Sequence, residues 1–555
     1  MGIDDIQKDS FEVIMPVWIP GSYMVREFSR QVEGFNAQSA DGKSLTSYKV
    51  RKNRWRVVSK GAKQISVSYL VYSFELSVRT NYVIDEFAFM NGAALFMYTE
   101  ESRNLPSKIK FVPWKGWEKI SSALPLSASD KWIRLAENFD RIADSPTVIG
   151  NHDEITFDYK GIPHHVAMIG KAKYDREKIS KDLFKVVVES TKIFGENPNK
   201  DYAFFVINGS TGGGGLEHLN STSIMVARTC YESEKDYIGF LNLAAHEYFH
   251  LWNVKRIRPV ELGPFDYENE VYTRQIWFFE GFTSFYDDYI IHKMGLNSDQ
   301  DYIESVKGNI QSIINTPGSG YQSLAEASFD AWIKYYRQTE NSKNSSISYY
   351  TKGGVVAAML NLDILNSTNG EKSLNDVMHY LYHEHFKKLN RGLTDAELQN
   401  AFEKVSGKSY DDFFRRYVFG TEPLPYEEFL SYAGISLIRK DGMKEPMGYL
   451  GATFNPVGNR LLISYVERNS AAWEQGLYVN DEILNVDGKE PLQIKDYLTS
   501  KKPGDPISIR LTRMGLPKDI TIHLGEPTQV EFEISKIQKP TKGQKVIYEK
   551  WISAQ

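Results

Sequence analysis

The stretch Leu243-Ala244-Ala245-His246-Glu247-Tyr248-Phe249-His250 sets two histidines four residues apart, with a glutamate after the first, inside an apolar run. On a helix a step of four residues turns the chain by about 400°, so both imidazoles leave one face about one turn apart. Two neutral imidazole nitrogens so placed can meet one Zn²⁺ at about 2.0–2.1 Å. Glu247 lies about 100° further round, within reach of a water beside the metal but not of the metal itself. The fold must bring a further ligand from elsewhere in the chain, because a catalytic zinc takes three protein ligands and keeps one position open.

Glu280, in Trp277-Phe278-Phe279-Glu280-Gly281-Phe282-Thr283, is the expected third ligand. Burying an unpaired carboxylate among these aromatics would cost several kcal/mol, so it should have a cation or metal partner. Asp287, seven residues on along the same helical face, is either a hydrogen-bond partner of a ligand histidine or a solvated acid.

At 555 residues the chain is too long for one core and implies several domains. The 66 basic and 71 acidic side chains leave a net charge of −5, too small to imply a nucleic-acid or membrane partner. The one cysteine, Cys230, excludes an internal disulfide framework and a thiolate metal cluster, and is expected to be a small buried apolar residue. No apolar run reaches about 18 residues, so no bilayer span is expected. Met-Gly-Ile-Asp-Asp-Ile-Gln-Lys has no apolar stretch and is not a secretory leader. A cytoplasmic location fits the sequence as written, and a periplasmic or secreted one if a leader has been removed.

Residues 10 to 170 read as β. Phe11 to Trp18, Arg54 to Val58, Gln64 to Phe74 and Ala88 to Tyr98 are rich in β-branched and aromatic residues and are broken by turn formers. From about 175 the pattern changes: Lys178 to Phe194 has helical spacing, while Asp201 to Val206 and Ser223 to Ala227 read as strands. Helices are expected around 236–253, 272–294, 300–315, 352–366, 373–388 and 394–405. Short strands return from 434 to about 525, and an extended lysine-rich tail ends in a short helix through Tyr548 and Trp551.

His246 to Pro259 reads H-E-Y-F-H-L-W-N-V-K-R-I-R-P and Thr273 to Phe285 reads T-R-Q-I-W-F-F-E-G-F-T-S-F. Both segments, with Pro16-Val17-Trp18-Ile19-Pro20-Gly21-Ser22-Tyr23, resemble the glycyl aminopeptidase family, zinc peptidases of the gluzincin type with a C-terminal PDZ domain. The resemblance covers nearly the whole chain. It implies a multidomain fold: an all-β domain over 1–172, a thermolysin-like, mostly helical α+β peptidase domain over 173–434, a β-rich PDZ domain over 435–527 and an extension over 528–555. It also implies one Zn²⁺ per chain, peptide substrates and a preference for small N-terminal residues, glycine or alanine.

The 29 residues between His250 and Glu280 exceed the spacing typical of the wider aminopeptidase N clan. They contain a loop over Val254 to Asn269, in which Lys255, Arg256 and Arg258 are expected to be solvated or ion-paired. Clan members carry a glycine-rich edge strand ending in a glutamate, which Gly213-Gly214-Gly215-Leu216-Glu217-His218 resembles. Gly214 and Gly215 would let the backbone approach the substrate, and Glu217 would bind its free α-ammonium. The clan has asparagine where this chain has His218. No G-K-[ST] follows the glycines, so they are not a phosphate loop. Tyr350-Thr351-Lys352-Gly353 resembles the clan's Y-x-K-G segment and assigns the oxyanion donor to Tyr350, with Tyr349 the neighbouring alternative.

Asn469-Ser470-Ala471-Ala472-Trp473-Glu474-Gln475-Gly476-Leu477 and Asp481 to Gly488 resemble a bacterial-type PDZ core, with Tyr449-Leu450-Gly451-Ala452 as the loop that would meet a peptide C-terminus. The same features also fit a structural appendage. For the whole chain the alternatives to an aminopeptidase are a zinc endopeptidase of the same clan and a PDZ peptide-binding protein with a vestigial metal site.

Overall fold

The computed structural model describes residues 1–440, 447–458 and 460–552, apart from the side chains of residues 493, 495 and 496. The N-terminal part is β-rich, as the alternation requires. In Arg54–Val58 the residues Trp55 and Val57 face inward while their neighbours stay partly exposed, the period-two pattern of a half-buried strand. This strand lies between Ser10–Ile14 and Ser47–Arg51, and further small sheets surround it. One expectation fails here. Ala88 to Tyr98 is not one strand, since Phe87–Met90 is followed by a helical turn, Gly92–Leu95. A Cβ on Gly92 would lie 1.8 Å from the Ile142 carbonyl, so this turn exists by close packing that local composition does not show.

The centre is a five-stranded sheet of Asp153–Tyr159 (β1), Ile162–Ile169 (β2), Tyr202–Gly209 (β3), Gly214–His218 (β4) and Ser221–Ala227 (β5). Its order is β1-β2-β3-β5-β4, with β4 on an edge and antiparallel to β5. Every residue of β3 is buried, because both faces are covered. Phe205, Ile207 and Leu216 join the core of the N-terminal unit, while Phe204, Val206 and Ile224 join the core of the helices.

Those helices are Arg176–Phe194 (α1), Glu234–Phe249 (α2), Gly281–Lys293 (α3), Asp299–Ile314 (α4) and Tyr349–Ser367 (α5). Asp175 caps α1 by accepting from the Glu177 and Lys178 amides, and Gly195 ends it at φ 81°. The helix expected over 272–294 starts at Ile276 and is interrupted at Glu280, which joins the short helix Ile276–Phe279 to α3. The α3–α5 contact is made by glycines. A Cβ on Gly281 would lie 2.5 Å from the Gly353 Cα, and one on Gly353 would lie 2.5 Å from the Trp277 carbonyl. The glycine of Tyr350-Thr351-Lys352-Gly353 therefore lets the helix bearing Tyr350 press against the segment bearing Glu280.

The C-terminal module is a sheet of Ala452–Val457 (β6), Arg460–Val466 (β7), Glu482–Val486 (β8), Pro506–Arg513 (β9) and Leu516–His523 (β10), in that order, with β6 at an edge. The turn after β8 has Asp487 at φ 49° and Gly488 at φ 74°, the backbone that an Asp-Gly pair supplies most readily. The strands flanking this module pack elsewhere. Ile435–Arg439 pairs with Phe532–Lys536, and Ile435, Phe532 and Trp551 belong to the peptidase core. The tail is thus a strand and a docked helix, Lys542–Ile552, and not a free extension.

Asn344 joins the module to the helical domain. It is buried, donates to the Val466 carbonyl (2.8 Å), and accepts from the Tyr465 hydroxyl and the Arg468 amide at 2.8 Å each. Asn344→Ala leaves buried backbone groups unpaired and should destabilise this junction by about 1–3 kcal/mol. Limited proteolysis should then release the C-terminal module faster than from the wild type, and an unchanged cleavage rate would assign the junction to other contacts.

Candidate metal centre

His246 sits in the last turn of α2, and His250 directly follows its last residue. The His246 Nδ1–H donates to Asp287 Oδ2 at 2.8 Å, and the His250 Nδ1–H donates to the Asn253 carbonyl at 2.7 Å. Both Nε2 atoms are thereby left to face Glu280 Oε2, at 3.5 Å from His246 and 3.2 Å from His250. A tetrahedral metal about 2.1 Å from each of two ligand atoms holds them about 3.4 Å apart, so the three donors fit such an ion. They also fit zinc in kind, two imidazoles and one carboxylate. Asp287 is buried rather than solvated, as its hydrogen bond to His246 requires. Burial alone would lower the His246 imidazole and raise the Glu280 carboxyl. Hydrogen bonds to Asp287 and Glu280 win for the imidazole, raising it well above its ordinary value, while the charge of His250 and hydrogen bonds with both imidazoles hold the Glu280 carboxyl at about 2. Metal entry must displace that proton.

Glu247 is 4% exposed, and its Oε2 has no hydrogen-bond partner. Burial pushes its carboxyl up to about 7, with the two imidazoles pulling it back only in part. Gly215 makes room for it, since a Cβ there would lie 2.1 Å from Glu247 Oε1. Gly214, at φ 79°, is exposed, pairs with Met225 in the sheet and has open space where a Cβ would stand.

Glu217 projects from β4 into the same space. One ligand-type atom from each of Glu217, Glu247 and His250 lies within 4.8 Å of the others. Glu217 is 3% exposed, and its Oε1 has no partner. Its strand is held at both ends by groups that the sequence did not single out. Arg79 of the N-terminal unit donates to the Gly215 carbonyl at 3.1 Å. Asp144 accepts from His218 Nδ1 (3.1 Å), the Leu219 amide (2.8 Å) and Lys255 Nζ (2.8 Å). Burial opposes the charge on Asp144, yet Lys255 and His218 hold its carboxyl well below the usual range. His218, the departure from the clan pattern, is thus a buried strut. Lys255 is ion-paired as expected, whereas Arg256 is buried on the Leu251 carbonyl and Asn199.

The Tyr350 ring lies 6.1 Å from the His246 ring, while Tyr349 is fully buried behind it with its hydroxyl unpartnered. Tyr23 and Tyr336 complete an aromatic wall, their rings 6.3 Å apart. Tyr23 lies in the Pro16 to Tyr23 run already noted, though nothing there assigned it to the site, and Tyr336 carries no local motif. The carbonyl of Asn253 was equally hidden, because a backbone acceptor leaves no residue-type signal.

A buried helix presenting two imidazoles, a carboxylate from a second helical segment and a glycine-edged sheet beside them define a zinc metallopeptidase. Family models agree over three segments: the M61 glycyl aminopeptidase over residues 239–356, the peptidase M61 N-terminal domain over 1–151 and a PDZ domain over 448–524. The chain carries the N-terminal and peptidase domains of the M61 glycyl aminopeptidase family, followed by a PDZ domain. Among solved structures it is similar to an aminopeptidase N family protein from Idiomarina loihiensis, at 29% identity and TM-score 0.91 over 100% of this chain and 96% of that one. A far weaker likeness, at 10% identity and TM-score 0.46 over 76% of this chain and 88% of the other, is to an M1 zinc metallopeptidase from Deinococcus radiodurans. No curated protein matches the chain.

Proposed function

We propose that the protein is a zinc aminopeptidase that removes small N-terminal residues, glycine or alanine, from peptides. The observation that carries this reading is Glu217, a buried carboxylate with an unpartnered oxygen beside Glu247 and His250. An unpaired buried charge is costly, and the α-ammonium of a substrate is a cation of the right kind to meet it there. His246, His250 and Glu280 would hold one zinc per chain. The metal, when bound, polarises the scissile carbonyl and lowers the pKa of a water. Glu247 takes the proton from the attacking water and passes it to the leaving amine. Tyr350 donates a hydrogen bond to the developing oxyanion. The family's glycyl specificity supports the small-residue preference.

Glu217→Ala should lower kcat/KM for free-amine peptides by about 30- to 1,000-fold. Acetylated peptides should already be poor substrates of the wild type and lose little more. A wild type that cleaves acetylated peptides equally well would be an endopeptidase. The edge position of β6, which follows the loop Tyr449-Leu450-Gly451-Ala452, supports a second role for the PDZ module, the capture of a peptide C-terminus by strand addition.

A further inference from the structure

A turn of the N-terminal β unit lies against Glu217. Pro20, Gly21 and Tyr23 line a cavity of about 170 Å³ together with Glu217. Gly21 has φ 91°, and a Cβ on it would lie 2.5 and 2.7 Å from the two Glu217 carboxylate oxygens and 2.8 Å from Cδ. The whole carboxylate therefore rests against the Gly21 backbone.

The turn that presents Gly21 is firmly held. The Ser22 amide donates to the Ile19 carbonyl at 3.0 Å, and Arg26 donates to the Ser22 hydroxyl at 2.8 and 3.1 Å. On either side of the turn, Trp18 and Tyr23 pack on Trp332 of the peptidase domain, with ring centroids 5.2 and 6.0 Å apart. A side chain at position 21 would have to displace Glu217, because the turn itself cannot move without breaking these contacts. The Asp144–Lys255–His218 network fixes the strand behind Glu217, so a displaced carboxylate would have to turn away from its place, toward the cavity it lines.

We propose that Gly21 is a positioning residue: its close approach sets the Glu217 carboxylate where it meets the ammonium of the substrate's first residue. The β unit then takes part in the preference for a free amino terminus. This rests on the reading of Glu217 as the partner of the substrate ammonium.

The test is a double-mutant cycle of Gly21→Ala and Glu217→Ala on one tripeptide with a free or an acetylated terminus. Gly21→Ala should lower kcat/KM for the free peptide by about 10- to 100-fold, mainly through KM, because a displaced carboxylate no longer meets the ammonium. The acetylated peptide should change by less than about twofold, and so should the free peptide when Gly21→Ala is added to Glu217→Ala. A merely structural defect would lower both substrates and both backgrounds alike, and that result overturns the proposal. Thermal midpoints give a readout that does not need activity. Glu217→Ala, or the shorter Glu217→Asp, should restore part of the midpoint lost in Gly21→Ala, and an equal loss in all backgrounds overturns the contact even if Gly21→Ala alone folds poorly. A wild type indifferent to acetylation removes the aminopeptidase reading and this proposal with it. A discriminating wild type without coupling removes this proposal alone.

Discussion

Glu247→Gln should keep its metal and lose turnover by about 10²–10⁴-fold, the usual contribution of a positioned general base. The amide is nearly isosteric with the carboxylate, so it can occupy the space that Gly215 leaves against Glu247. It cannot accept a proton from water. The carboxyl is pushed up to about 7 by burial, which suits a group that must take a proton and return it near neutral pH. Glu280→Ala is the contrasting variant, because it removes the carboxylate oxygen that faces both Nε2 atoms. It should lose metal, and activity with it. Metal content by mass spectrometry, read beside kcat, separates the two. If both variants retain zinc and Glu247→Gln still hydrolyses peptides, the roles of these two glutamates are misassigned.

Tyr350→Phe should lower kcat by about 10²–10³-fold with little change in KM. A hydroxyl that meets the oxygen only as it becomes charged stabilises the transition state and not the bound substrate. The ring is partly exposed and faces His246, so the hydroxyl can reach the cleft. Tyr349→Phe is the control. Its hydroxyl is buried and unpartnered, and removing it should leave kcat close to wild type. The opposite pattern would move the role to Tyr349.

Much of the candidate centre was legible from local spacing. His246, Glu247 and His250 share one helix, so a step of four residues already states their geometry. Glu280 was marked by the cost of an acid among aromatics, and Asp287 by its place seven residues, about two helical turns, further on. Arg54–Val58 was legible because a half-buried strand alternates. Ala88 to Tyr98 was misread because its composition suits a strand, while Gly92 opens a helical turn packed so closely on the Ile142 carbonyl that no Cβ fits there. The C-terminal tail looked extended and lysine-rich, yet Phe532 and Trp551 anchor it in the peptidase core.

The sequence by itself determined the histidine-bearing helix, its candidate third ligand and the succession of β and helical parts, because each is written in the spacing or character of neighbouring residues, while the PDZ part was marked by resemblance. Tertiary structure alone decided what surrounds Glu217. Gly21, Arg79, Asp144 and Lys255 reach that strand from distant segments. A glycine that yields space to a carboxylate, or an aspartate that gathers a histidine, a lysine and a backbone amide, has no periodic signature. Such contacts are specified by the close approach of packed segments, and no local pattern records which distant residue will arrive.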